Sequence, residues 1–201
     1  ETNMITSNPY NGERRPGTVG KPLPDVEIKI NDPQTGRENT NGEIGMIEVR
    51  GPNVFKGYWN MPDKTSLELR ENGYFITGDL GKLSSDGYLS IVGREKDLII
   101  SGGYNVYPKE IEDVLNELDK IDETAVFGIL DNDFGERVVA AIVMLENESF
   151  DKSKTEIFVN DKLARYKQPK EYFVLDSLPR NSMGKVQKNE LRKQFSNLRA
   201  D

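Results

Sequence analysis

The stretch Pro179-Arg-Asn-Ser-Met-Gly-Lys185-Val-Gln-Lys188 sets one lysine on a glycine-loosened turn inside a basic segment. A fixed ammonium there suits chemistry on an anion, although a lysine on a surface turn is by itself a common feature. Upstream, Thr77-Gly78-Asp79-Leu80-Gly81 places a carboxylate between glycines that let a ligand approach the backbone closely. A carboxylate is acceptor-only with two oxygens, so Asp79 can take hydrogen bonds from both hydroxyls of a ribose. Taken alone, Gly-Asp is more often a plain turn.

The chain has no Cys and no His. Thiolate nucleophiles, disulfides, Ser-His-Asp triads and the usual zinc sites are therefore excluded, and chemistry must run on Lys, Arg, Asp, Glu and bound small molecules. In 201 residues, 35% hydrophobic and 30% charged, no apolar stretch approaches the length of a membrane span. A soluble, cytoplasmic protein is the default expectation. A chain that begins Glu1-Thr2 without Met reads as cut, so its start carries no information on targeting.

The formal net charge of −7 disfavours a general nucleic-acid role, yet the charge is unevenly spread. Lys162 to Arg199 carries ten basic and three acidic residues, whereas Glu1 to Asp161 carries 17 basic and 30 acidic. The basic tail is expected to meet an anion; a solvated helix face is the plain alternative. No aromatic residues interleave with these charges in the stacking pattern of a nucleic-acid surface.

The elements that must position these residues fall into two groups. From Thr18 to Gly93 the pattern is of short strands and turns. Val26 to Ile30 alternates, then comes the Asp32-Pro-Gln-Thr-Gly36 turn, and Ile44 to Val49 continues. Asn72-Gly73 and Asp86-Gly87 flank Tyr74 to Asp79, and the second should close a hairpin into Tyr88 to Val92. A short helix is expected after Pro62. Beyond Gly93, Pro108 opens a helix with early acids and an apolar face of Ile111, Val114, Leu115 and Leu118. Ala125 to Leu130 and Val138 to Leu145 read as strands, the latter central in a sheet. Ser153-Lys-Thr-Glu156 reads as a capping box opening a helix, Tyr172 to Leu175 as a further strand, and Leu191, Phe195 and Leu198 as one face of a terminal helix. The expected class is α+β. Its boundary falls near Arg94 to Asp97, with 1–94 a β-rich end of a larger domain and 95–201 a small mobile α+β domain.

The segment Gly93-Arg-Glu-Lys-Asp-Leu-Ile-Ile-Ser-Gly-Gly-Tyr-Asn-Val-Tyr-Pro-Lys-Glu-Ile-Glu112, together with the Lys185 motif after it, resembles the acyl-adenylate-forming superfamily. Its members activate carboxylic acids with ATP and then form thioesters. The resemblance implies that Lys185, in a Pro-Arg-x-x-x-Gly-Lys pattern, offsets charge as a carboxylate meets the α-phosphate. It implies that Asp79 and Arg94 hold the ribose and nucleotide, and that Lys96 is a hinge between two domain orientations. Gly102 and Gly103 would admit the pantetheine arm of CoA. Glu1-Thr2 resembles the end of a Tyr-Gly-x-Thr-Glu motif whose glutamate helps hold Mg²⁺, an ion suited to oxygen ligands. A terminus lacking its preceding residues is expected to fray.

Ser7-Asn-Pro-Tyr-Asn-Gly-Glu-Arg-Arg-Pro-Gly17, Gly51-Pro-Asn-Val-Phe-Lys-Gly-Tyr-Trp59 and Pro179 to Lys188 together resemble malonyl-CoA synthetases in particular. That implies malonate, ATP and CoA as substrates, with Arg14, or else Arg15, as the fork for a second carboxylate. Activation of another short-chain acid, or loading of a carrier-protein thiol, stays open. The superfamily's early phosphate-gripping Ser/Thr/Gly-rich loop is absent, so the chain is expected to be the C-terminal part of an enzyme whose N-terminal domain is its partner. A non-catalytic nucleotide- or partner-binding module is the reading of another class.

Overall fold

In the computed structural model, which describes residues 1–196, two compact units are present, Glu1–Lys96 and Asp97–Asp201. The class is α+β.

In the first unit, β1 (Thr6–Ser7) and β2 (Lys21–Pro22) make a small antiparallel ladder. β3 (Glu27–Asn31), β4 (Gly45–Arg50), β5 (Phe75–Leu83) and β6 (Leu89–Arg94) make an antiparallel sheet in that order, and α1 (Pro62–Glu68) interrupts it between β4 and β5. The turn after β3 is closed by Asp32, whose Oδ1 accepts the amides of Gln34 (2.9 Å) and Thr35 (2.6 Å). Ile30, Ile47, Val49 and Leu89 form its buried core. β4 is covered on both faces, which leaves Glu48 only 2% exposed. The Arg70 guanidinium answers it with a fork, Nε to Oε2 at 2.8 Å and Nη2 to Oε1 at 2.6 Å. Without that fork a buried carboxylate would stand uncompensated, a loss of about 3–5 kcal/mol.

In the second unit the hairpin β7 (Ile99–Ser101) and β8 (Tyr104–Val106) leads into α2 (Pro108–Leu115), β9 (Ile121–Asp131), β10 (Gly135–Met144), α3 (Lys152–Lys162), β11 (Glu171–Val174) and α4 (Lys188–Phe195). β10 pairs antiparallel with β9 and parallel with β11, the latter reached through α3. Its apolar run is continuous because alternate residues feed two cores. Val138, Ala140 and Ile142 pack with Ile111, Leu115, Val159 and Leu163, while Val139, Ala141 and Val143 pack with Leu178, Leu191 and Phe195.

One expectation is revised. α3 begins at Lys152 with Asp151 as its cap, Oδ1 accepting the Lys154 amide at 3.1 Å, so the Ser153 capping box does not form. Leu198 lies outside the described residues.

Candidate functional site

Asp79 and Arg94 are brought together. They are direct partners across the β5–β6 ladder, and Arg94 Nε sits 2.9 Å from Asp79 Oδ1. The same guanidinium donates through Nη1 to the Thr77 carbonyl at 3.2 Å. Thr77 in turn donates its hydroxyl to the Ile47 carbonyl (2.9 Å) and accepts the Asp79 amide (3.0 Å), which locks the strand ahead of the carboxylate to β4. Gly78 adopts φ +72°, a left-handed backbone that an L side chain would strain. Sequence reasoning found both charged residues; Thr77, their tether, it passed over.

Glu1 is tied down rather than frayed. Its carbonyl accepts the Phe55 amide at 2.9 Å, Asn53 donates to the Thr2 carbonyl at 2.7 Å, and the Tyr58 hydroxyl lies 3.2 Å from Glu1 Oε1. Burial, and then a 2.6 Å hydrogen bond to Glu68, push the Tyr58 hydroxyl well up, so it stays protonated and donating. Glu1 remains exposed. Among the described residues no group of three or more acidic side chains gathers as a metal cage. A single exposed carboxylate does fit Mg²⁺ carried on a nucleotide's phosphates, since that ion keeps waters and takes one or two protein carboxylates.

Arg14 and Arg15 part company. Arg15 pairs with Glu13 (2.9 Å) and Asp86 (2.7 Å) and lies 4.1 Å over the Tyr88 ring. Hydrogen bonds from Ser84 and Arg15 hold Asp86 down to about 2. This guanidinium fastens the 8–18 loop to the β5–β6 turn. Arg14, its neighbour, is exposed at that same turn. The strand from Tyr88 to Arg94 separates this end of the hairpin from the Asp79–Arg94 pair, roughly 20 Å at ~3.3 Å per residue. Arg14 and the Asp79–Arg94 pair thus stand toward opposite ends of the β5–β6 hairpin.

Lys96 lies exposed in a single 3₁₀ turn, Glu95–Asp97, with no buried residue, and the boundary between the two units falls directly after it. Asp97, the next residue, is already fastened to the second unit by Arg192 at 3.1 Å.

Gly102 and Gly103 form the two-residue connection of the β7–β8 hairpin, with φ of +58° and +81° and Ser101 opposite Tyr104. Positive φ at both positions is what a type I′ turn demands, which is reason enough for the glycines. Gly102 donates its amide to the Phe134 carbonyl at 2.8 Å. Beyond the turn, Tyr104 stacks on Tyr166 with ring centroids 4.7 Å apart.

Lys185 sits exposed on a rigid turn. Asn181 Oδ1 accepts the amides of Met183 (3.0 Å) and Lys185 (2.9 Å), and Gly184 turns the chain with φ +78°. The basic tail is mostly neutralised within its own unit: Lys162, Lys167, Arg180, Lys188, Arg192 and Lys193 pair with Glu117, Glu110, Glu123, Glu112, Asp97 and Glu190. The uneven charge along the sequence is thus largely complementarity between the acids in and around α2 and β9 and the bases from Lys162 onward. Lys185 is in none of the ion pairs among the described residues, and its ammonium faces solvent.

The AMP-binding enzyme model matches residues 1–59, and the model for the AMP-binding enzyme C-terminal domain matches residues 110–185, together more than half of the chain. The chain belongs to the AMP-binding enzyme family. Among its AMP-binding relatives, a malonate–CoA ligase of Arabidopsis thaliana is 44% identical over 96% of this chain and 33% of its own length. An indoleacetate–CoA ligase of Aromatoleum aromaticum is 42% identical over 92% of this chain and 36% of its own. The crystal structure of ATP-bound MatB from Rhodopseudomonas palustris superposes with a TM-score of 0.93 at 52% identity, covering 98% of this chain and 39% of that one. The chain thus spans about a third of the length of the curated relatives it matches. Among the described residues no helix is long and apolar enough to cross a membrane.

Proposed function

We propose that this chain is the C-terminal third of an AMP-forming acid–CoA ligase and that its acid is malonate. The observation that carries the reading is the Lys185 turn, which presents an exposed ammonium without an ion-pair partner among the described residues, on backbone held by Asn181, in a unit whose basic residues are mostly paired. The malonate assignment is supported by the similarity to the plant malonate–CoA ligase.

In the first half-reaction a malonate oxygen bonds to the α-phosphorus of ATP as the bond to the β-phosphate bridge breaks, releasing pyrophosphate. Two anions must meet for this, and Lys185 offsets the charge shared between them. Asp79 accepts the ribose hydroxyls, and Arg94 orients its carboxylate and adds positive charge for the nucleotide. Glu1 would hold Mg²⁺, which when bound neutralises charge on the phosphates. In the second half-reaction the CoA sulfur bonds to the acyl carbon and AMP leaves. Gly102 and Gly103 expose backbone along which a narrow pantetheine arm fits. Lys96 is the pivot, because the turn around it buries nothing and so can rotate without breaking a core. Arg14 stands at the far end of the β5–β6 hairpin, so on this reading the distal carboxylate of malonate is taken by another group.

The test is substrate use by the full-length enzyme, measured with malonate, methylmalonate and acetate. Preference for malonate supports the proposal; preference for acetate or no AMP release with any acid would remove it.

A further inference from the structure

The Lys185 turn is gripped from behind by Arg180. This arginine donates through Nη1 to the Gly184 carbonyl at 2.6 Å, and its Nη2 pairs with Glu123 near the start of β9. Gly184 is the residue directly before the lysine. Arg180 also forms an isolated bridge with Val186, directly after the lysine, and Asn181 accepts the Lys185 amide. Further along, Lys188 Nζ lies 2.6 Å from Glu112 Oε1, the same oxygen that accepts the Val126 amide of β9 at 2.8 Å. The turn is therefore tied to β9 directly through Arg180 and, further along, through Glu112 of α2, and β9 is buried in the core of the unit. Of these contacts only the Arg180 fork joins the strand to the peptide group adjoining Lys185.

We infer that Arg180, held by Glu123, is a positioning residue for the adenylation half-reaction, setting the height and direction of the Lys185 ammonium through the Gly184 carbonyl. The inference rests on the proposed role of Lys185 in adenylation. A guanidinium is suited to the task because its planar fork donates in two directions at fixed angles, one to a carboxylate and one to a carbonyl; a lysine at the same place has a single point of charge and cannot span both. Small displacements matter here, since a misplacement of about 1 Å in a reacting geometry can cost on the order of 100-fold in rate.

The experiment uses the full-length enzyme and measures the two half-reactions separately: adenylate formed from ATP and malonate, and thioester formed from supplied malonyl-adenylate and CoA. Arg180→Gln and Arg180→Lys should each slow adenylate formation by roughly 10-fold or more while thioester formation changes less than about twofold. Glu123→Gln, which keeps an acceptor and the shape, should give a smaller loss in the same half-reaction. Because Arg180 acts through Lys185, adding Arg180→Gln to Lys185→Ala should cost nothing further. The exchange Arg180→Glu with Glu123→Arg restores the ion pair but removes the donor to Gly184, so adenylate formation should stay slow. Recovery in the exchanged variant would mean that only the ion pair matters and would overturn the inference. So would full additivity with Lys185→Ala, or equal loss of both half-reactions. If Lys185→Ala itself leaves adenylate formation intact, the underlying reading of Lys185 fails instead, a result distinct from normal adenylation in the Arg180 variants alone.

Discussion

Arg94 Nε and Asp79 Oδ1 lie 2.9 Å apart on paired positions of β5 and β6, so the two residues read from the sequence as separate nucleotide contacts are one unit. The arginine holds one carboxylate oxygen in place and thereby sets the direction of the other. Asp79→Asn should weaken ATP binding by about 1.5–3 kcal/mol, the range for hydrogen bonds to a charged group, or roughly 10- to 100-fold in Kd by calorimetry. Wild type should lose affinity for 2′-deoxy-ATP, and Asp79→Asn should lose much less. If the variant discriminates against the deoxynucleotide as strongly as wild type does, the carboxylate is not the ribose partner.

The hinge assignment makes Lys96→Pro informative. Proline fixes φ near −65° and removes an amide, so it should trap one orientation of the second unit while leaving both cores intact. Adenylate formation and thioester formation, timed separately by rapid quench, should fall by different factors. Equal factors would place the pivot elsewhere.

For Gly103 the turn and the ligand can be separated. Asn is tolerated at φ > 0 in type I′ turns, so Gly103→Asn should keep the hairpin, with an unfolding midpoint within a few degrees of wild type. Its side chain would nevertheless stand beside the proposed path of the pantetheine arm. The KM for CoA should rise severalfold while adenylate formation is unchanged. An unaltered KM for CoA would leave the glycines with the turn alone as their reason.

Arg14 supplies a control on substrate recognition. Standing at the β5–β6 turn beside the Arg15–Asp86 pair, it should not distinguish acids: Arg14→Ala is expected to change use of malonate and acetate by the same small factor, less than about 0.5 kcal/mol as for other surface changes. A loss confined to malonate would return the second carboxylate to Arg14.

The fold was legible where one pattern dominated locally. The unbroken apolar run at Val138 announced a strand central in a sheet, and β10 is that strand, between β9 and β11, with alternate residues feeding two cores. Asp86-Gly87 announced the β5–β6 turn. Where two local signals competed, the stronger was not the obvious one: Asp151 caps α3 because its carboxylate reaches the Lys154 amide, ahead of the Ser153 pattern. The strands flanking the Gly102-Gly103 turn went unread because they have three residues each, too short for alternation to show. Long-range ion pairs left no trace. Glu123 and Arg180 are far apart in the chain, and no local spacing records that β9 carries the acid that grips the Lys185 turn. The charge asymmetry had the same origin, since acids in and around α2 and β9 and bases from Lys162 onward cancel only once folded.

The most direct test of the account is the pair of half-reactions in full-length Lys185→Ala. On the proposed function the ammonium is needed while carboxylate meets α-phosphate and not when a thiol attacks an adenylate already formed. Pre-steady-state formation of malonyl-adenylate from ATP and malonate should fall by roughly 100-fold or more, judged from the loss of single preorganised donors. Conversion of synthetic malonyl-adenylate with CoA should proceed within about twofold of wild type, the scale on which an unaffected step varies. Normal adenylate formation in Lys185→Ala, or equal loss of both steps, would contradict the central claim.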